Sequence, residues 1–198
     1  METTEQARAR ALVKEVLVEA FGASATPFLP VPFVDDWMHA RLLRRIAAKV
    51  LMRHALGSPP GLPKVVVAAF VAEGAPSIAR SIAVGAARFV VRKLAIVLDV
   101  KKGYDVFGQA IVFALALDLA ATRGWLHEAS AERVGGAIHR ALAEVGSGAI
   151  EALGRTGRDA FARGPSHLGD AIAAEVERTR QTLEPALRRA LRVAQHLD

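Results

Sequence analysis

The chain contains no cysteine, and only 6% of its 198 residues are aromatic. The absence of cysteine excludes disulfide bonds, thiolate metal sites and a cysteine nucleophile. Because aromatic residues are scarce, alanine, leucine and valine supply most of the hydrophobic content of 52%. That content and a mean hydropathy of +0.26 are high for a soluble domain. A chain of this length is long enough to bury a full core as one domain.

Sequence motifs of catalysis and nucleotide binding are also absent. The chain has no Walker phosphate loop and neither a Gly-x-Gly-x-x-Gly nor a Gly-x-Ser-x-Gly motif. The pair His127–Glu128 lacks the second histidine of a zincin site. We therefore expect a non-enzymatic protein and assign no catalytic residue, no metal site and no cofactor.

Long uncharged segments are missing as well. Charged residues such as Glu5, Lys14 and Glu19 interrupt the N-terminal region, so it does not have the apolar core of a signal peptide. The longest uncharged apolar run in the second half, Val106–Leu117, has 12 residues, whereas a transmembrane helix needs about 20. The sequence therefore favours a cytoplasmic protein, and a peripheral location at the inner face of the membrane if it binds lipid.

Acidic residues are nearly absent from the middle of the chain. Between Trp37 and Lys102 there are twelve basic residues and two acids, Glu73 and Asp99. The net charge of +6 arises there, since the first 36 residues carry six acids and three basic residues. A surface that is both basic and apolar predicts an anionic, partly apolar partner, of which a phospholipid interface is the simplest. Arginine outnumbers lysine twenty to six, so a GC-rich coding bias is the alternative explanation of the charge.

The periodicity of apolar residues predicts an all-α fold of six to eight helices in an irregular or orthogonal bundle. Helices at about 78–101 and 105–122, joined by a turn at Gly103, form the central antiparallel pair of this prediction. We expect a single helical domain over 1–198, with 124–198 as a looser C-terminal subdomain. The segment Lys64–Ala72 is predicted as helix rather than strand, because the chain offers no second strand to pair with it.

The helix that begins after Asp36 carries the leading functional candidate. Its basic residues recur at steps of three and four, and we predict that they contact anionic head groups: Arg41, Arg44, Arg45, Lys49 and Arg53. The alternative is a solvated helix face with salt bridges to Glu15 and Glu19 of the first helix. Two other functional classes stay open, a soluble homo-oligomeric structural or adaptor protein and a non-specific nucleic-acid binder.

Asp118 is the only charged residue between Asp105 and Arg123. An unpaired carboxylate is costly inside an apolar helix, so a cationic partner is expected. If the two central helices are antiparallel, counting back from their turn brings Asp118 close to Arg88 and Arg92. We predict a structural buried ion pair at that place.

The segment Pro30–Trp37 reads Pro-Val-Pro-Phe-Val-Asp-Asp-Trp and is followed by a basic helix that ends near Gly57. This combination resembles the opening of EcsC-type helical proteins, which pair a proline-rich turn and an aspartate with a long helix and are membrane-associated. The resemblance covers about a fifth of the chain. It implies a helical fold and membrane association, and it carries no catalytic residue across.

Overall fold

The computed structural model describes residues 4–26, 34–55, 61–73, 92–163 and 165–195. These residues form eight helices and no strand, so the predicted all-α fold is confirmed. In chain order the helices are α1 (Thr4–Ala25), α2 (Val34–Arg53), α3 (Leu62–Glu73), α4 (Arg92–Thr122), α5 (Trp125–Glu128), α6 (Ala131–Val145), α7 (Ser147–Arg163) and α8 (Pro165–Gln195). The segment for which a strand was the alternative forms α3, as predicted.

The long helix α4 runs without interruption through Gly103. The predicted turn is therefore absent, and residues 92–101 continue into 105–122 in one helix instead of running antiparallel to them. Residues 74–91, which include the start of the predicted first helix, lie outside the described residues. A glycine inside a helix costs only about 1 kcal/mol relative to alanine. The side chains that follow gain more than this by burial, since every residue from Ala110 to Ala120 is buried. The helix α4 is consequently the centre of the bundle.

One hydrophobic core collects side chains from both halves of the chain. The helices α1, α2, α6, α7 and α8 all contact α4, while α3 packs on α6 and α1 packs on α8. Fully buried members of this core include Val16, Ile46, Phe113, Ile138 and Leu187. The looser subdomain predicted for 124–198 stays a prediction, but its helices share this core with those of the first half.

The chain breaks after α4 follow the local sequence. Gly124 has a left-handed conformation with a φ angle of 76°, and Gly146 combines a φ angle of 79° with an extended ψ of 175°. Glycine adopts both of these positive-φ conformations without the steric cost of a Cβ. The hydroxyl of Ser130 accepts a hydrogen bond from the backbone N–H of Arg133 at 3.3 Å and thereby caps α6. Local residue chemistry thus sets where α5, α6 and α7 begin and end.

Two helix pairs approach each other through glycine. A Cβ on Gly108 of α4 would collide with the carbonyl oxygen of Ile150 in α7. A Cβ on Gly135 of α6 would collide with the carbonyl oxygen of Val66 in α3. These glycines allow the backbones to lie closer than any side chain would permit.

Candidate functional site

The basic residues of α2 do not share one face of the helix. Each residue of an α-helix advances by about 100°, so an i,i+4 series rotates by about 40° at every step. Arg41 and Arg45 accordingly lie on the exposed side, together with Arg44, whereas Lys49 and Arg53 are half-buried. The tertiary structure thus divides the five predicted basic residues into three that are exposed and two that face α1.

The two half-buried cations are neutralised by α1. The Nζ atom of Lys49 lies 2.8 Å from Oε2 of Glu19 and donates a second hydrogen bond of 2.8 Å to the carbonyl oxygen of Glu15. The guanidinium of Arg53 donates to the carbonyl oxygen of Arg8 at 3.3 Å and lies 3.9 Å from the Glu15 carboxylate. We therefore correct the prediction for Lys49 and Arg53, because these side chains join α2 to α1 instead of offering a charge to a partner.

The three exposed arginines of α2 differ from Lys49 and Arg53 in having no acidic partner in the described part of the chain. Among the residues that the structure describes, no carboxylate forms an ion pair with Arg41, Arg44 or Arg45. One turn before them, Trp37 is 56% exposed, and the Arg41 guanidinium lies 5.2 Å from the centre of its ring. Further along the same side, Met52 is 73% exposed. We call these five residues the basic face of α2.

A second polar group lies inside the bundle, around Asp118. The carboxylate of Asp118 is 7% exposed; its Oδ1 lies 2.7 Å from Nε2 of His54, and its Oδ2 lies 3.9 Å from Nε of Arg8. An ionised carboxylate only accepts hydrogen bonds, so a hydrogen bond to it requires the form of the His54 ring that has a proton on Nε2. The three side chains connect α1, the end of α2 and α4, and we call them the Asp118 cluster.

The predicted pairing of Asp118 with Arg92 is wrong. Arg92 begins the same continuous helix, 26 residues before Asp118, which corresponds to about 39 Å along the axis. Arg88 lies outside the described residues. Among the described residues, the side chains that contact this buried carboxylate come from α1 and from the end of α2.

Sequence reasoning missed both His54 and Arg8. A single charged residue in an apolar helix signals that some partner exists, yet it does not say which of many basic residues folds against it. His54 follows the last residue of α2 and donates its backbone N–H to the Leu51 carbonyl oxygen at 3.2 Å. Its side chain reaches Asp118 only because α2 packs on α4, and this contact has no local signal.

The Asp118 cluster has the composition of a structural ion pair rather than of a metal site. Within the described ranges, no group of three or more histidine, cysteine or acidic side chains could hold a metal ion. The Arg8 guanidinium supplies a positive charge near the carboxylate and His54 supplies a ring nitrogen within hydrogen-bonding distance, and both contacts offset the cost of burying a polar group. The cluster thus accounts for the stability of a charge in the core.

The apolar part of α4 also bears on membrane association. The segment Gly103–Thr122 has 20 residues and a mean hydropathy of 1.5, so by length and composition it could cross a membrane. In the bundle, 72% of its apolar window is buried by the neighbouring helices, and Asp118 lies within it. These are the properties of the core helix of a bundle, and they are weak evidence for a membrane span.

Similarity to known proteins does not identify a function for this site. Of the residues that carry the resemblance to EcsC-type proteins, 34–37 form the start of α2 and 30–33 lie outside the described residues. The resemblance stays a prediction. Searches of family models, of curated proteins and of solved structures found no match to this chain.

Proposed function

We propose that the protein binds peripherally to an anionic membrane surface through the basic face of α2. The observation that carries the proposal is the coincidence of three exposed arginines, without acidic partners among the described residues, and an exposed tryptophan on one side of one helix. Tryptophan and arginine are the side chains that a lipid head-group region accommodates best, since one end of each is apolar and the other is polar. Anionic lipids are concentrated in the cytoplasmic leaflet, so the protein would act from that side.

The charge surroundings of this face differ from those of several other exposed arginines of the described residues. Several exposed arginines elsewhere already have carboxylate partners within the molecule. These pairs are Arg123–Glu184, Arg140–Glu73, Arg178–Glu175 and Arg189–Glu144. A paired arginine attracts an anionic lipid surface only weakly, because its carboxylate partner cancels most of its charge. The positive charge of the basic face of α2 is not cancelled in this way.

The expected strength of binding follows from simple terms. Each arginine close to an anionic surface contributes about 1 kcal/mol, so the three together contribute about 3 kcal/mol. Burying the exposed part of Trp37 adds up to about 3 kcal/mol. A total of about 6 kcal/mol corresponds to an association constant near 10⁴ M⁻¹, which is comparable with that of a single myristoyl chain. Binding should therefore be reversible and should weaken as salt is added.

Cosedimentation with lipid vesicles tests the proposal. We expect the protein to sediment with phosphatidylglycerol vesicles and not with phosphatidylcholine vesicles. The variant Arg41→Glu/Arg45→Glu should bind at least about a hundredfold more weakly, because two attractions become repulsions. Equal binding to both kinds of vesicle, or none to either, would refute the proposal.

A second variant with the same net charge shows whether vesicle binding depends on the position of the arginines or only on the net charge of the protein. Arg155 of α7 and Arg192 of α8 are exposed and distant from α2 in sequence. Each reversal lowers the net charge by two, so Arg155→Glu/Arg192→Glu and the α2 variant both change it from +6 to +2. The control should keep most of the binding. Equal losses in both variants would mean that the lipid surface senses only the net charge.

Two parallel measurements test the other functional classes, a nucleic-acid binder and a homo-oligomeric structural or adaptor protein. If the basic face serves nucleic acid, the wild-type protein should bind random duplex DNA with a steep salt dependence, and the α2 reversal should abolish it. If the protein is a homo-oligomer, sedimentation without lipid should give a mass above that of the 21.1 kDa chain. Either result without binding to phosphatidylglycerol vesicles would replace the membrane proposal.

A further inference from the structure

A cavity of about 230 Å³ lies between α1, α4 and α7, outside the two polar groups described above. It is lined by Phe21, Ser24, Tyr104, Phe107, Gly157 and Arg158. The cavity adjoins one of the closest helix contacts of the bundle, because a Cβ on Gly154 would lie 2.6 Å from the backbone oxygen of Tyr104. It therefore does not result from generally loose packing of these helices.

The inner walls of the cavity are aromatic. The rings of Phe21 and Phe107 lie with their centres 4.8 Å apart, at an interplanar angle of 36°. A Cβ on Gly157 would lie 2.7 Å from Cε1 of Phe107, so this glycine leaves the ring in its present place. An apolar cavity of about 150 Å³ is large enough for benzene. The present one has room for a chain of about eight carbons.

The polar groups of the cavity favour one kind of end group. The Arg158 guanidinium lies 5.9 Å from the centre of the Tyr104 ring and is exposed to solvent on its outer side. Its Nε donates to the Asp159 carboxylate at 2.8 Å, so Asp159 offsets part of its charge, and the two terminal nitrogens are left as hydrogen-bond donors. The Ser24 hydroxyl donates to the Phe21 carbonyl oxygen at 2.7 Å. The only cation lining the cavity among the described residues is thus Arg158.

We infer that this cavity binds a single medium-chain acyl group with an anionic end, with the chain against the two phenylalanine rings and the end group at Arg158. Such a group could come from a free fatty carboxylate or from a phospholipid. The cavity lies near the N-terminal half of α2, since a Cβ on Gly22 would contact the Leu42 side chain at 3.4 Å. The inference does not depend on the membrane proposal, because a free carboxylate is tested without vesicles.

Calorimetric titration with butanoate, hexanoate, octanoate and decanoate tests the inference. Each added methylene should raise the affinity about fourfold while the cavity fills. The increase should stop near eight carbons, since a longer chain must leave its end in water. Octylammonium should bind more weakly than octanoate, because an ammonium cannot accept a hydrogen bond from the terminal nitrogens of Arg158. An affinity that rises without a limit through decanoate, or that is equal for octylammonium, would overturn the inference.

Two variants locate the binding. Ser24→Leu places a branched side chain into the cavity, whereas Ala25→Leu places the same side chain at an exposed neighbouring position. The first should lower octanoate affinity at least tenfold and the second should not change it. Arg158→Gln should weaken octanoate several-fold and leave octanol unaffected, a comparison that remains valid if Ser24→Leu folds poorly.

A soluble phospholipid, dihexanoyl phosphatidylglycerol, distinguishes the two sources of the acyl group. Octanoate binding that Ser24→Leu abolishes identifies a free acid as a ligand. Binding of the phospholipid alone, again abolished by Ser24→Leu, identifies a lipid chain. If neither compound binds at millimolar concentration, or if Ser24→Leu binds them as the wild type does, the inference is wrong. The variant Arg41→Glu/Arg45→Glu should bind octanoate normally, so failure here and failure of the membrane proposal are distinguishable.

Discussion

Replacing His54 by alanine should destabilise the protein through the charge that it leaves behind. The Asp118 carboxylate is 7% exposed, and His54 is its only partner within hydrogen-bonding distance, at 2.7 Å, among the described residues. In the variant, the carboxylate would have only Arg8, which is 3.9 Å away and whose side chain is 38% exposed. A buried acid would thus lose its hydrogen bond and keep a solvent-screened attraction.

The size of this effect has an upper and a lower bound. Removing one partner of a buried charge pair costs about 3–5 kcal/mol. The attraction to Arg8 offsets part of it. We expect the free energy of unfolding to fall by about 2–4 kcal/mol and the melting temperature by roughly 4–16 °C.

Urea denaturation of His54→Ala, Asp118→Leu and the double variant measures the coupling directly. Once His54 has been removed, replacing Asp118 by leucine should restore stability, because it removes the uncompensated charge. The coupling energy should therefore reach about 2 kcal/mol. A loss below about 0.5 kcal/mol in His54→Ala, or single effects that simply add, would refute the assignment of the contact as a compensated buried charge.

Three further predictions concern the packing and the local signals. Gly135→Ala should lower the free energy of unfolding by at least about 2 kcal/mol, because the new Cβ would collide with the backbone of α3. Gly148→Ala has open space for its Cβ and should raise the free energy of unfolding by up to about 1 kcal/mol. Thermal melts in which Gly135→Ala is the more stable of the two would contradict the close contact. Lys49→Ala should lose about 2–3 kcal/mol in urea denaturation, because it leaves the buried Glu19 carboxylate without its ion-pair partner, while Arg45→Ala, which has no such contact, stays within about 0.5 kcal/mol. Ser130→Ala should lose about 1 kcal/mol by removing the cap of α6, and an unchanged melting temperature would show that the cap contributes nothing.

Short-range chemistry sets the helix ends in the second half of the chain. Gly124, Ser130 and Gly146 each act through their own backbone or through a neighbour three residues away, so their effect is visible in the sequence. Gly103 was wrongly predicted as a turn because glycine either ends a helix or lies within one, depending on what packs around it. The neighbours that settled the matter for α4 belong to helices distant in sequence.

In α2, likewise, the sequence shows which residues are charged, and the tertiary structure decides which of them are paired. The spacing of its basic residues was evident in the sequence, and so was the alternative that Glu15 and Glu19 neutralise them. Which arginines stay exposed depends on the angle at which α1 lies against α2. The rotation of the i,i+4 series toward α1 decided that Lys49 is paired and Arg45 is not.

Composition and periodicity alone determined that this protein is helical, that its positive charge is concentrated in the middle of the chain and that Asp118 would need a partner in an apolar environment. Only the tertiary structure decided that His54 and Arg8 supply that partnership, that α4 is one continuous helix and that a cavity remains beside it. The reason is physical: helix propensity and capping act over a few residues, whereas burial and charge compensation depend on which helices come into contact.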